Sequence, residues 1–362
     1  MGFTPEQIKG RIKSVAKQNN ADARTLMRIY MMERFLERLA QSEYRDNFII
    51  KGGILVTAMI GVAHRSTMDI DTSMKNLNLS AEDALRVVNR VKDIDLDDGV
   101  SFDVKDVSNI MDEMEYPGIR VTMNANVGRL ITPLKIDIST GDVITPRAIE
   151  FNYDLLLEDR SISLWSYNLE TILAEKLQTV LARGILNTRM RDFYDIRMLL
   201  DTYEDKVNKA VLKDAFAATC KKRGTDHLQE QAEEIIKIIE ADEQLQVLWR
   251  AYQKKYSYAA EIDYASVISG VRKLMDWMIR RGDAFIAFPG GTGTLEEIAE
   301  VMSKVSLKQL DAPCVLYNLN GYYNGLKTLL DHMIETGLST KERQEGIWFA
   351  ENLEQIKQIL KA

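Results

Sequence analysis

Cysteine and histidine are scarce in this sequence. The 362 residues include two cysteines, Cys220 and Cys314, and three histidines that are scattered along the chain. Two cysteines so far apart provide neither a disulfide framework nor the ligands of a cysteine zinc site. Three scattered histidines do not indicate a histidine-based metal site either. We therefore expect both cysteines to be reduced, and we expect neither a disulfide framework nor a metal site made of cysteine or histidine.

Long apolar runs and prolines are also few. No run approaches the roughly 20 apolar residues that cross a membrane, and the first residues lack the apolar segment of a secretory signal. Six prolines argue against a long proline-rich linker. We expect a cytoplasmic, helix-rich protein that does not contact a membrane.

Charge and length set two further limits. The chain has 47 basic and 54 acidic residues, a net charge of −7. This excludes a surface that is basic as a whole, although a local basic groove remains open. At 362 residues the chain is longer than one hydrophobic core usually supports, so we expect two or three domains.

The hydrophobic pattern changes along the chain. Strand-like segments occur at residues 100–107, 119–125 and 134–138, and an almost purely helical pattern extends from about 168 to 278. Strands and helices then alternate, starting with an apolar strand at 284–288. Such alternation is typical of a parallel α/β unit.

Two aspartates two residues apart predict a shared carboxylate face. In a strand, Met68 and Ile70 face one way while Asp69 and Asp71 face the other. Asp137 occupies the same kind of position in a later strand and joins them if the two strands are neighbours. Three carboxylates with few histidines favour Mg²⁺ or Mn²⁺ over zinc. The alternative is that the pattern marks a strand end beside a turn.

A pair of glycines upstream favours the metal interpretation. Gly52 and Gly53 precede an apolar helix, and they allow the backbone to approach a phosphate closely at a helix N-terminus. Nucleotidyl transfer requires glycines for the phosphate and carboxylates for the metal ions that activate a hydroxyl and stabilise pyrophosphate.

These residues carry a family resemblance. The segments Lys51–Gly53, Arg65–Asp71, Ala174–Lys176 and Arg191–Asp195 resemble, in order, the motifs of the AbiEii/AbiGii nucleotidyltransferase toxins of abortive-infection systems. The likeness covers about residues 1–278.

The resemblance implies a fold and an activity. It implies an α+β, polymerase-β-like nucleotidyltransferase core over 1–165 and a helical half over 166–280. The activity it implies is transfer of a nucleoside monophosphate, with Mg²⁺, from a nucleoside triphosphate to an RNA acceptor such as tRNA. The protein would then be a toxin of phage defence, paired with a separately encoded antitoxin.

Several candidate residues have a second interpretation. Lys176 lies on an apolar helical stripe, where its ammonium either reaches a nucleotide phosphate or extends to solvent. Asp192 and Asp195 share a helix face and are either catalytic or ion-paired with Arg189, Arg191 or Arg197. Arg65 is a clamp for a phosphate or for a carboxylate. We expect Lys176→Met to abolish nucleotide binding while preserving or raising stability.

The candidate site therefore has three groups of residues. The predicted catalytic residues are Asp69, Asp71, Asp137, Lys176, Asp192 and Asp195, of which the first three are the predicted metal ligands. The predicted nucleotide-binding residues are Lys51, Gly52, Gly53, Arg65 and Thr67.

The last quarter of the chain carries a second motif. The apolar strand leads into the turn Pro289–Glu297, which resembles the Pro-Gly-Gly-x-Gly-Thr-x-x-Glu motif of the LOG-type, lysine-decarboxylase-like nucleotide phosphoribohydrolases. A strand, a glycine-rich turn and a helix N-terminus form a phosphate cradle. The resemblance, over about 282–362, places the catalytic glutamate at Glu297 and predicts a phosphate loop that comprises Gly290, Gly291, Thr292, Gly293, Thr294 and Glu297.

The tail departs from that family in what precedes the motif. The enzymes have an earlier half-sheet, and nothing before residue 282 supplies one. We therefore expect 281–362 to be a partial Rossmann-like unit that packs on the first domain or pairs with a second copy. The alternatives are an active nucleotide 5'-monophosphate phosphoribohydrolase and a non-catalytic nucleotide-binding or oligomerisation fusion.

Overall fold

A computed structural model of the protein describes residues 3–76, 80–110, 118–279, 284–308, 310 and 312–361. The chain divides into two units, Met1–Ile279 and Arg280–Ala362, and each contains its own sheet. Within the described ranges, we find no helix with the length and apolarity that crossing a membrane requires.

A mixed sheet organises the first unit. Its strands are β1 (Phe48–Lys51), β2 (Ile70–Met74), β3 (Val100–Ile110), β4 (Gly118–Val127), β5 (Leu130–Thr140), β6 (Ile149–Asp154) and β7 (Ser161–Ser166). Their order is β3-β4-β5-β2-β1-β7-β6. Strands β3, β4 and β5 are antiparallel neighbours, whereas β5 runs parallel to β2. Buried Val121, Met123 and Ala125 alternate with half-buried residues along β4, as in a strand with one face on the core.

Ten α-helices of the described residues belong to this unit. They are α1 (Pro5–Gln18), α2 (Ala23–Gln41), α3 (Gly52–Ile60), α4 (Ala81–Lys92), α5 (Leu169–Arg183), α6 (Met190–Tyr203), α7 (Lys209–Lys222), α8 (Leu228–Ala241), α9 (Glu243–Lys255) and α10 (Tyr264–Ile279). Side chains at Thr4, Asp22 and Asn168 accept backbone N–H groups and so cap α1, α2 and α5. The helices α5 to α10 account for the helical pattern predicted from about 168.

The second unit alternates strands and helices, as its sequence pattern predicts. Its elements are β8 (Phe285–Ala287), α11 (Thr292–Ser306), β9 (Cys314–Tyr317), α12 (Asn324–Glu335), α13 (Lys341–Gln344), β10 (Ile347–Ala350) and α14 (Leu353–Ile359). The three strands are parallel, in the order β10-β9-β8. Among the residues described, β8 has a neighbouring strand on one side alone, so it forms an edge of this small sheet.

One predicted strand starts later than expected. Strand β2 begins at Ile70, and Met68, which we expected beside Ile70 on the buried face, precedes the strand and is 49% exposed. The hydroxyl of Thr67 donates to the backbone carbonyl and the carboxylate of Asp69. Such local side-chain bonds compete with strand pairing, which explains the later start.

A carboxylate triad and its surroundings form the candidate active site

The three predicted metal ligands lie together in the first unit. Asp71 of β2 and Asp137 of β5 are directly paired in the parallel register, and Asp69 immediately precedes β2. One oxygen from each lies within 4.8 Å of the others. We call these residues the triad. Its all-oxygen ligand set suits Mg²⁺ or Mn²⁺, so the residues present fit a hard divalent cation.

Electrostatic repulsion within the triad supports this fit. Burial, and then the negative charges of Asp69 and Asp137, raise the pKa of Asp71 to about 6. The backbone N–H of Gly53 donates to Asp71 Oδ2 over 3.1 Å and opposes this rise. A bound cation would relieve the repulsion that remains.

The glycine pair allows α3 to approach these carboxylates. Gly52 has a φ of +61°, and a Cβ there would lie 2.0 Å from Asp71 Oδ2. A Cβ at Gly53 would lie 2.5 Å from the Thr67 hydroxyl oxygen. In this structure the glycines therefore make room for the residues of the site, and phosphate binding by them stays a prediction.

Thr67, a predicted nucleotide-binding residue, contacts a carboxylate of the triad. It is fully buried, and its hydroxyl lies 3.2 Å from Asp69 Oδ1. It does not line the cleft that contains the triad. The contact shown is therefore with Asp69, and nucleotide binding by Thr67 stays a prediction.

Two polar partners of the site were not found from the sequence. Arg120 of β4 donates to both oxygens of Asp137, over 2.8 and 2.7 Å. Asp142 accepts from the ammonium of Lys51 over 2.5 Å, and Ser139 accepts from the same ammonium over 2.7 Å. Burial opposes ionisation of Asp142, but Lys51 outweighs it and lowers the pKa of Asp142. The predicted nucleotide ligand Lys51 is thus ion-paired.

A second group of charged residues connects the loop that follows α3 with helices α5 and α6. It comprises Arg65, Lys176, Arg189, Asp192 and Asp195, and we call it the ion-pair network. Asp195 accepts from Arg65 Nε over 2.7 Å and from Lys176 Nζ over 2.6 Å. Asp192 accepts from Lys176 over 3.1 Å, and Arg189 Nε lies 2.9 Å from its other oxygen.

This network decides between some of the alternatives. Arg65 is 1% exposed and binds a carboxylate, so the structure favours the carboxylate clamp over the phosphate clamp. Asp192 pairs with Arg189, as the ion-pair interpretation expected, whereas Asp195 pairs with Arg65. Arg197 pairs with Asp201 instead. Burial disfavours the charged form of Asp195, yet the two cations lower its pKa to about 2.

One cleft brings most of the predicted residues together. Its volume is about 650 Å³, and it is lined by the triad, Lys51, both glycines, Lys176 and Asp192. Asp195 lies outside the lining and is fully buried. This size is within the usual range of pockets for small-molecule ligands, about 300–1,000 Å³.

The predicted phosphate loop of the second unit lies at the start of α11. Gly291 precedes this helix, and a Cβ at Gly290 would lie 2.3 Å from the Thr294 hydroxyl oxygen. The Tyr322 hydroxyl donates to the carbonyl of Gly290, and Glu297 is exposed on the first turns of the helix.

Comparisons with known proteins find two families in the chain, with matches that overlap over residues 224–276. The family described as "Possible lysine decarboxylase" matches residues 224–360, which begins well before residue 282. LOG4, a cytokinin riboside 5'-monophosphate phosphoribohydrolase of Arabidopsis thaliana, is 50% identical over 68 residues, 18% of this chain and 32% of that protein. LOG5 of the same plant is 40% identical over 85 residues, 24% of this chain and 37% of that protein. The chain thus spans about a third of the length of these curated relatives.

Two solved structures resemble the chain more distantly. JHP933 from Helicobacter pylori is 15% identical, with 71% of this chain and 92% of that chain covered and a TM-score of 0.42. ANT(2")-Ia in complex with adenylyl-2"-tobramycin is 12% identical, with 54% of this chain and 98% of that chain covered and a TM-score of 0.32.

The family comparison that covers most of the chain concerns the first unit. The family described as "Nucleotidyl transferase AbiEii toxin, Type IV TA system" matches residues 34–276, a range that contains the triad, the ion-pair network and the cleft. The chain belongs to the AbiEii nucleotidyltransferase family, and its C-terminal part resembles the LOG-type phosphoribohydrolases.

Proposed function

We propose that the protein transfers a nucleoside monophosphate from a nucleoside triphosphate to an RNA acceptor, with Mg²⁺ or Mn²⁺, on a polymerase-β-like core. The observation that carries the proposal is the convergence of Asp69, Asp71 and Asp137 in a cleft beside the N-terminus of α3. Family membership supports the reaction class.

The residues of the cleft have distinct roles in this reaction. The triad would hold the cation, which when bound would supply charge stabilisation to the triphosphate and favour ionisation of the acceptor hydroxyl. Gly53 and Thr67 orient two of the carboxylates, and Arg120 orients the third. Lys176 lines the cleft with its ammonium bound to Asp192 and Asp195, and in this proposal it also contacts the triphosphate.

The transfer itself is a substitution at phosphorus. The acceptor oxygen forms a bond to the α-phosphorus, and its proton leaves to a triad carboxylate. The bond between the α-phosphorus and the oxygen that bridges to the β-phosphate breaks, and pyrophosphate leaves with that electron pair.

Label transfer tests this proposal. Each α-labelled nucleoside triphosphate is incubated with cellular RNA, Mg²⁺ and the full chain, and label in RNA is measured after electrophoresis. The Asp69→Asn/Asp71→Asn variant should lose at least about 100-fold of the activity, the scale of losing a preorganised electrostatic group. Asp159→Asn, an exposed carboxylate outside the cleft, should keep it. Equal activity in both variants would show that the triad is not the site of transfer.

We also propose that the activity makes the protein the toxin of a toxin–antitoxin pair in phage defence. The description of its family, which names a type IV system, supports this role. Induced expression in a bacterium should stop growth for the natural chain, whereas the double aspartate variant should permit growth. A separately encoded antitoxin should restore growth without removing the protein. Toxicity that is independent of the triad would contradict the proposal.

For the second unit we propose phosphate binding without turnover and pairing of two chains through its open sheet. The phosphate loop at the N-terminus of α11 and the LOG resemblance support binding. The chain matches only about a third of the curated relatives, which supports the loss of turnover. Analytical ultracentrifugation of the full chain tests the pairing.

A further inference from the structure

Most cations of the cleft are already neutralised. Lys51 pairs with Asp142, Arg120 with Asp137, and Arg65 and Lys176 with Asp195. These groups hold the site together, and they leave little positive charge for a long anionic substrate. The charge that such a substrate requires must therefore come from elsewhere on the cleft.

The ends of three helices supply this positive charge. Arg183 ends α5, Arg191 lies in the first turn of α6, Lys255 ends α9, and Tyr256 follows directly. All four line the cleft, and we call them the helical rim. In the part of the chain that the structure describes, none of the three cations is paired with a carboxylate, and Arg183 and Lys255 are exposed. In a chain with a net charge of −7, three unneutralised cations on one cleft form a local anion-binding surface.

Tyr256, the aromatic member of the helical rim, packs against two other tyrosines. The ring of Tyr256 packs against Tyr252, with centroids 4.7 Å apart, and against Tyr258, at 5.3 Å and an interplanar angle of 24°. The hydroxyls of Tyr252 and Tyr258 lie 3.2 Å apart, which links the two supporting rings. Tyr256 is half-buried, so its ring is fixed and still accessible from the cleft.

The cations surround this ring. The Lys255 ammonium lies 5.3 Å from the ring centroid of Tyr256. Burial opposes ionisation of the phenol, yet Arg191 and Lys255 together lower the pKa of Tyr256. A fixed aromatic ring flanked by unpaired cations is the combination that binds single-stranded nucleic acid, since bases stack on the ring while phosphates contact the cations.

We propose that the helical rim binds the acceptor as a single strand, with a base against Tyr256 and phosphates against Arg183, Arg191 and Lys255. This inference rests on the proposed transfer to RNA and adds where and how the acceptor binds. A cleft of about 650 Å³ suits the end of one strand beside a nucleotide, which excludes a duplex from the interior. The hydroxyl at the end of the strand would thus reach the triad.

Binding without metal or nucleotide tests this proposal separately from the transfer reaction. The full chain is titrated into a short, unstructured, fluorescein-labelled oligoribonucleotide in EDTA, and anisotropy is measured at several salt concentrations. Tyr256→Leu should raise the dissociation constant about fivefold or more, whereas Tyr256→Phe should retain the affinity. Lys255→Ala should weaken binding and reduce the salt dependence by about 0.7 in the log–log slope.

Lys254→Ala is the matched control, because Lys254 is exposed on the same helix but does not line the cleft. It should bind the oligoribonucleotide as the natural chain does. Equal weakening by the two lysine variants would overturn the proposal. The proposal would also be overturned if the full chain did not bind the oligoribonucleotide and transferred the label to a second protein, because the acceptor would then be a polypeptide.

Discussion

The triad and the ion-pair network contain the same type of residue in opposite electrostatic surroundings. Asp71 is close to two other carboxylates, and its pKa rises to about 6. Asp195 is fully buried but lies between Arg65 and Lys176, and its pKa falls to about 2. The network is neutralised within the chain, whereas the triad keeps a repulsion that a cation would relieve. The comparison suggests that the network stabilises the fold and that the triad is available for chemistry.

The largest expected effect is on the network. Asp195→Asn leaves Arg65 buried without its charged partner, so the free energy of unfolding should fall by about 3–5 kcal/mol. Urea denaturation followed by circular dichroism measures this change. Asp201→Asn, on the same helix, removes only the exposed pair with Arg197 and should cost less than about 1 kcal/mol. Similar losses in the two variants would show that burial of the pair is not what matters.

The triad should respond in the opposite direction. Asp71→Asn removes a repelled, partly buried charge, so without metal the free energy of unfolding should rise by about 2 kcal/mol at neutral pH. Mg²⁺ should raise the melting temperature of the natural chain but not of the variant, because binding to the folded state stabilises it. Scanning calorimetry with and without Mg²⁺ measures both effects. A variant that Mg²⁺ still stabilises fully would remove Asp71 from the ligand set.

Lys176 connects the two regions, and here the structure reverses an expectation. From the sequence we expected Lys176→Met to preserve or raise stability, but the ammonium binds both Asp192 and Asp195. Since Arg189 and Arg65 remain as partners, the loss of unfolding free energy should be on the order of 1 kcal/mol.

The same variant should bind a fluorescent nucleoside triphosphate more weakly in equilibrium titrations. Lys237→Met, which disrupts an exposed pair with Glu233, is the control and should change neither quantity. Unchanged nucleotide binding with lowered stability would assign Lys176 to the network alone.

The alternation of residues along single strands was enough to predict the carboxylates of the triad. Alternation in two strands placed Asp69, Asp71 and Asp137 on related faces, and the structure brings them together. Arg120 was missed because its contact with Asp137 depends on the register of β4 against β5. A sequence pattern does not contain that register.

Other omissions have similar physical causes. Strand β6 was not predicted because it is an edge strand whose residues are mostly exposed and show little apolar alternation. Strand β7 was also missed, although its buried Ile162 and Leu164 alternate with less buried residues and could have indicated it. The pair of Lys51 with Asp142 joins residues far apart in the chain, so their spacing gave no signal. Arg65 was predicted as a clamp, but its carboxylate partner lies 130 positions later in the chain.

The smallest expected effect concerns a third carboxylate, Glu297 of the second unit. It is exposed on the first turns of α11. Removal of a base from a nucleotide requires an acid held against the ribose together with groups that fix the phosphate and the base. In the described residues β8 is an edge of the small sheet, so no further strand beside it supplies such groups. Glu297→Gln should therefore change nothing: neither chain should release free base from AMP or from a cytokinin-type nucleotide, as measured by liquid chromatography. Release by the natural chain that disappears in the variant would contradict this prediction, and it would mean that a second chain completes the site.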